Sequence, residues 1–315
     1  MTGAKELLRC PVCGAAPLDP TQSTFNLSDI LVRWEKETAV RFRSSVWRKY
    51  EGMDVRLHRC GACSFAFFLP RATGTEDFYS DVISKVDYYA EDKWEFFEAI
   101  KDISKHGAKS VLDIGCGSGV FLNMVKKHDP KIEATGFEFY NEAVMGARSM
   151  GHVVFTGNLD SLTQKGGYDA VCVFQVLEHI AEPVDFLKQI RGLLTGRGIL
   201  IIGVPDAHGP IRHFSSALTD IPPHHVSRWC ESSFRMGLPR LGYEVTRISR
   251  EYLPSYLWDS YLPVMFEKSK VPPLLRRAVG LVGLRRMISV LKRLRLHSLP
   301  GVPGHSLYVL ARKTQ

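Results

Sequence analysis

The sequence predicts a doubly wound α/β protein: a seven-stranded, mostly parallel sheet with an antiparallel last strand, behind a small cysteine-based N-terminal module. Three observations predict it. From Ser110 onward, short apolar runs alternate with segments of helical period, the pattern of βα units feeding a parallel sheet. The first of these runs ends in a glycine-rich turn, Gly115-Cys-Gly-Ser-Gly119. Two Cys-x-x-Cys pairs, Cys10/Cys13 and Cys60/Cys63, bracket the N-terminal residues.

The strands are expected at 110–114, 132–137, 152–156, 169–174, 198–203, 243–249 and 306–312, and the helices near 118–128, 141–150, 183–194 and 231–240. Residues 1–70 read as the cysteine module, 71–107 as a helical connector, and 108–315 as the main domain with a basic insertion at about 251–304. Length suits one large domain plus a small one, and 45% apolar residues suit a buried core. The net charge of +8 is local: residues 268–315 hold eleven Lys or Arg and no acid, while the rest carries 30 basic against 33 acidic residues. That argues against sequence-specific nucleic-acid binding by the body of the protein. With no apolar leader in Met1–Cys10 and no run of eighteen apolar residues, the expectation is a cytoplasmic, reducing location.

In such a compartment the cysteine pairs read as metal ligands rather than disulfides. Two thiolates three residues apart grip one ion, and a second pair completes a tetrahedron. Cys10, Cys13, Cys60 and Cys63 are therefore expected to hold a structural zinc ion; the alternatives are iron, which thiolates also hold, or redox or incidental cysteine pairs. The 46 residues between the pairs imply an inserted excursion. Cys116, Cys172 and Cys230 stand alone.

Asp113 closes the first strand just before the glycine turn. A carboxylate there repels a pyrophosphate but suits a ligand with an ammonium group, and Val120 departs from the dinucleotide pattern, which wants glycine or alanine. Glu138 ends the next strand, where an acidic side chain can accept both ribose hydroxyls. A sulfonium nucleoside, S-adenosylmethionine, satisfies both.

The run Val111-Leu-Asp-Ile-Gly-Cys-Gly-Ser-Gly119 resembles the first motif of class I methyltransferases, a Rossmann-like family, and Gly136-Phe-Glu138 resembles their ribose motif. Tyr168 to His179 resembles their fourth strand and the turn after it, and Leu193 to Leu200 the turn before the fifth, with Arg197 where glycine is usual. The resemblance implies S-adenosylmethionine as cofactor, held by Asp113, Gly115, Cys116, Gly117, Glu138 and Phe139. It places Gly157, Asn158 and Leu159 beside the adenine and Gln175 near the methionine portion. Cys60 to Pro70 followed by Phe78-Tyr79 resembles sugar methyltransferases with a four-cysteine zinc module, which implies a small-molecule or glycan-linked hydroxyl acceptor.

Histidine suits removal of a hydroxyl proton near neutral pH. The segment Asp220-Ile-Pro-Pro-His-His-Val-Ser-Arg-Trp229 follows the fifth strand and is expected over the ligand edge of the sheet. In extended backbone His224 and His225 point oppositely, so one of them, His224, is expected to face the pocket as base. His179 is a further candidate. Arg228 suits an anionic acceptor. Adjacent histidines without a carboxylate cluster make a poor metal site. Tyr88, Tyr89 and Trp94 offer faces to a sulfonium or pack on the sheet. Residues 284–296 form an amphipathic basic helix that either meets an anionic membrane surface or packs on the domain. Alternatives to a sugar acceptor are a quinone or phenol, or a non-catalytic binding protein that keeps the fold.

Overall fold

A computed structural model of the chain describes residues 8–16, 18–83, 85, 93–139, 141–159, 162, 167–214, 216–268, 277, 283–294 and 296–315. The first strand among the described residues is β1 (Leu18–Asn26), which passes directly into α1 (Leu27–Glu37). The Asn26 side chain caps that helix by accepting from Ser28 N and Asp29 N, satisfying amides that have no partner within the helix. Then follow α2 (Ser44–Tyr50), β2 (Asp54–Cys60), β3 (Ala66–Leu69), α3 (Glu76–Ile83) and α4 (Trp94–Lys105).

The main domain runs β4 (Ser110–Ile114), α5 (Val120–His128), β5 (Glu133–Phe137), α6 (Asn141–Ser149), β6 (Val153–Phe155), β7 (Tyr168–Phe174), α7 (Pro183–Leu193) and β8 (Leu194–Pro205). It continues with β9 (Ser227–Arg228), α8 (Glu231–Gly237), β10 (Tyr243–Pro254), α9 (Trp258–Lys268), α10 (Leu284–Arg293) and β11 (Ser298–Lys313). Seven strands form one sheet in the order β10-β11-β8-β7-β4-β5-β6. Neighbours from β6 to β8 pair in parallel, and β11 is antiparallel to both β8 and β10. This is the predicted doubly wound, mostly parallel sheet. Strand order reverses at the adjacent pair β4 and β7, the switch point where ligands bind in such sheets.

Helix α4 lays Phe96, Ala99 and Ile103 on one sheet face, where Phe96 meets Phe174 and Phe121 edge-on or tilted at 5.0 and 5.2 Å. Its apolar residues at intervals of three and four make one stripe toward the core. On the other face Phe186, Leu187 and Ile190 of α7 join Leu112, Val171 and Leu200.

Several boundaries differ from expectation, and two of the differences reshape the edges of the domain. The insertion expected at 251–304 shrinks to the residues between Pro254 and Ser298, because β10 and β11 extend beyond the sheet as a hairpin, pairing Tyr252 with Pro303 and Pro254 with Ser298. Register shifts near Arg250 and Tyr252 accommodate the prolines and glycines that read as strand breakers. The N-terminal sheet, β1-β2-β3-β9, is completed by Ser227 and Arg228 of the main domain. Trp229, just past that strand, packs against Phe65 at 4.6 Å and Phe234 at 4.8 Å, and the four cysteines share a core cluster with the main sheet. The module is thus built into the domain rather than appended to it.

The helix expected at 284–296 ends at Arg293. Its Ile288 is buried with Leu253, Trp258 and Tyr261, while Leu284 and Leu291 pack partly against them. Arg285, Arg286, Lys292 and Arg293 stay exposed. Pro272 and Pro273, which bound the basic insertion in the sequence, and Gly280, which interrupts any longer helix there, lie outside the described residues. Among the described residues no helix is long and apolar enough to cross a membrane.

Candidate active site

The turn after β4 is shaped by glycines that other residues cannot replace. Gly115 has φ +78°, and a Cβ there would sit 2.3 Å from Val176 Cγ2, so the turn requires the left-handed conformation and the missing side chain together. Its amide and that of Cys116 donate to Phe137 O at 2.7 and 3.2 Å, drawing the turn onto the end of β5. Glu138 follows that strand. Its Oε2 accepts from Gly117 N and its Oε1 from Phe139 N, both at 2.7 Å. The carboxylate therefore braces the glycine turn as well as facing the cavity.

Asp113 is 3% exposed, and its Oδ1 has no hydrogen-bond partner. Burial, reinforced by the charge of Glu138 and opposed by Lys93, pushes its carboxyl up to about 8. A cation arriving beside Asp113 would favour the carboxylate. Gln175, at the end of β7, holds φ +55° and donates to Glu95 Oε1 at 3.0 Å.

A cavity of about 580 Å³ opens on these groups, within the range of small-molecule sites. Asp113, Gly115, Cys116, Gly117, Glu138, Phe139 and Gln175 line one part of it, and His179, His224 and His225 line another. Both adjacent histidines face the cavity, which corrects the expectation that only one would. The backbone is not extended there: His224 N and His225 N both donate to Ile221 O, at 3.1 and 3.2 Å, so the chain turns and the two rings lie 4.6 Å apart. His179 comes to 4.7 Å from each. Val226 N donates to Glu178 O at 2.9 Å, joining this turn to the one after β7.

Burial pushes His179 down to about 4, and burial with mutual repulsion pushes His224 and His225 well below the usual histidine range. In all three, burial favours the neutral imidazole. Glu178 is 2% exposed, and its two oxygens lack hydrogen-bond partners. Burial above all pushes it up to about 8.

Some expected residues lie elsewhere. Asn158 is exposed and Leu159 is buried in the core, and neither lines the cavity. Arg228 is held by Asp220, with Nη2 at 2.8 Å from Oδ2, and lies over the Phe68 ring, so it clamps the loop rather than facing the cavity. Trp94 lines the cavity; Tyr88 and Tyr89 lie outside the described residues. Sequence reasoning missed Trp34, Tyr79, Lys93, Glu251 and His305, which also line it. They come from the N-terminal helices and the β10–β11 end, and no local pattern links them.

The cysteine pairs converge as expected. Cys10 Sγ lies 3.7 Å from Cys63 Sγ, and Cys13 Sγ 3.5 Å from Cys60 Sγ. Tetrahedral Zn–S bonds of about 2.3 Å place sulfurs ~3.8 Å apart, so the donor set fits zinc. Each knuckle ends with a residue at positive φ, Gly14 and Ser64, whose amide donates to the first cysteine's carbonyl. Cys230 is not remote: its sulfur lies 3.6 Å from Cys63 O.

A family model described as a methyltransferase domain matches residues 83–248. The chain is 31% identical over 127 residues to an uncharacterized 37.1 kDa protein in transposon TN4556 from Streptomyces fradiae, covering 38% of this chain and 35% of that protein. It is 22% identical over 175 residues to a ubiquinone biosynthesis O-methyltransferase from Bradyrhizobium diazoefficiens, covering 54% and 64%. It thus spans less than two thirds of either relative. A solved SAM dependent methyltransferase from Archaeoglobus fulgidus aligns at TM-score 0.45 and 16% identity over 69% of this chain and 94% of that one.

Proposed function

Because the chain belongs to the family of methyltransferase domains, we propose that it transfers the methyl group of S-adenosylmethionine to the oxygen of a small-molecule or glycan-linked hydroxyl. One observation carries the reading: the acidic strand ends with their glycine turn, and the histidine cluster, open onto the same cavity. Asp113 and Glu138 would take the ammonium and ribose ends of the cofactor, with Gly115, Cys116, Gly117 and Phe139 beside them and Gln175 toward the methionine. Asn158 and Leu159 lie off the cavity and are not part of this reading. The sulfonium supplies the reactive carbon, so the protein's task is alignment and removal of the acceptor proton. His224, His225 or His179 would accept that proton, although burial holds each ring below the usual histidine range and makes it a weaker base than a free imidazole.

A second acceptor class, a phenol or quinol, is favoured by the aromatic lining of Trp34, Tyr79 and Trp94 and by the likeness to a ubiquinone biosynthesis O-methyltransferase. The four cysteines would hold a structural zinc ion, with no open position for chemistry. Exposed Val290, Leu294 and Leu296 beside the basic side chains of α10 would support peripheral contact with an anionic membrane through 284–296. The test is release of S-adenosylhomocysteine with two acceptor panels, hydroxylated sugars and phenols. Turnover with sugars alone supports the first reading, and turnover with phenols alone the second. Cofactor binding without turnover on either panel would favour a binding protein.

A further inference from the structure

We infer that His179, His224 and His225, together with Glu178, form a binding site for a divalent cation of the zinc type within the cavity. Two adjacent histidines are a poor site by themselves. The fold adds a third ring and a carboxylate, both from the turn after β7.

One nitrogen from each ring lies within 4.8 Å of the other two. Nδ1 of His179 lies 2.7 Å from His224 O, and Nδ1 of His224 lies 3.1 Å from Thr219 O. A carbonyl can only accept, so these contacts favour the tautomers with the proton on Nδ1, in which Nε2 is the ligating nitrogen; the Tyr79 hydroxyl, 2.8 Å from the same His179 Nδ1, then donates to His224 O at 3.2 Å. His225 turns Nδ1 toward Asp220 Oδ1 at 3.5 Å and Nε2 toward Glu178 Oε1 at 3.8 Å. Histidines that ligate metals are anchored in this manner, with the outer ring nitrogen on a carbonyl or carboxylate.

Glu178 is the independent observation. It is 2% exposed, neither oxygen has a hydrogen-bond partner, and Oε1 lies 4.0 Å from His179 Nε2. A buried carboxylate without a partner is costly, and a cation among the rings supplies one. Zn–N bonds of ~2.0–2.1 Å put tetrahedral donors ~3.3 Å apart, so side-chain adjustments on the order of 1 Å close the site. Imidazoles with one carboxylate suit zinc or a similar transition metal, whereas calcium and magnesium require oxygen shells. All four side chains line the cavity, so with the cation bound an acceptor oxygen on that wall would meet the metal, which replaces the ring nitrogens as the group that favours loss of its proton. This last role rests on the methyl-transfer reading; cation binding does not.

The test uses the full chain, stripped with chelator, reloaded with Zn²⁺ or Co²⁺, and desalted. About two equivalents are expected, one on thiolates and one on imidazoles. Cobalt distinguishes them, because only the thiolate site gives intense sulfur-to-metal charge-transfer absorption. Glu178→Gln and His225→Gln, which nearly preserve volume, should each lose the second equivalent and keep the thiolate band, which also reports that the chain is folded. A wild-type chain with one equivalent and only thiolate absorption overturns the inference, as does a second equivalent unchanged in both variants. Calorimetry with S-adenosylhomocysteine is run separately. A chain that binds the cation but not this nucleoside keeps the metal site and sinks the cofactor reading; the reverse result does the opposite.

Discussion

Cofactor binding should be coupled to release of a proton from Asp113. Its carboxyl, raised to about 8 by burial and by Glu138, is mostly protonated at pH 6, whereas an ammonium-bearing ligand binds the carboxylate. Between pH 6 and 7 the carboxylate fraction rises from ~1% to ~9%, so affinity should improve about ninefold, or ~1.3 kcal/mol. The ligand's own amine, with an ordinary value of about 7.7–8.0, stays largely protonated across that window. Without ligand, the folded chain keeps a proton that the unfolded chain has lost, so this carboxyl makes stability fall as pH rises from about 4 toward about 8. The assay is isothermal titration with S-adenosylhomocysteine in two buffers of different ionisation enthalpy, which counts the protons released. Lys93, Glu138, Glu178 and Glu251 also face the cavity, so Asp113→Asn serves as the control and should bind weakly with most of the pH dependence gone. Equal affinity at pH 6 and 7 with no proton released, or an Asp113→Asn chain that behaves like wild type, would refute the reasoning.

Removing Glu138 with Glu138→Ala takes away both the ribose acceptor and the brace on Gly117 N; nucleoside binding should weaken about tenfold to hundredfold, the worth of charge-assisted hydrogen bonds, measured by the same titration. Cys10→Ser with Cys60→Ser should abolish the thiolate-bound metal equivalent and lower the melting temperature, as metal analysis and thermal unfolding would show, because structural zinc contributes folding energy directly. Trp229→Ala should cost about 3–5 kcal/mol, since the ring is buried between Phe65 and Phe234; denaturant unfolding measures the loss, and limited proteolysis should show residues 8–69 loosened first.

Local chemistry was legible in the residues themselves. The apolar runs, the glycine turn, Asp113 and Glu138 at consecutive strand ends, and the paired cysteines each announce their role over a few residues, because strand alternation, left-handed turns and chelation act at short range. The seven strands and the class of cofactor followed from them. Tertiary packing alone decided the rest. Sheet edges and hairpins are set by long-range pairing, so β10 and β11 ran through prolines that looked like stops, and Ser227–Arg228 became the fourth strand of a sheet begun two hundred residues earlier. The cavity wall combines His179 with Glu178 from one turn, His224 with His225 from another, and Trp34 from an N-terminal helix. Burial in that wall, rather than residue type, favours the neutral form of the three rings and leaves the Glu178 oxygens without a hydrogen-bond partner. Desolvation depends on which side chains surround a group, and no linear spacing encodes that.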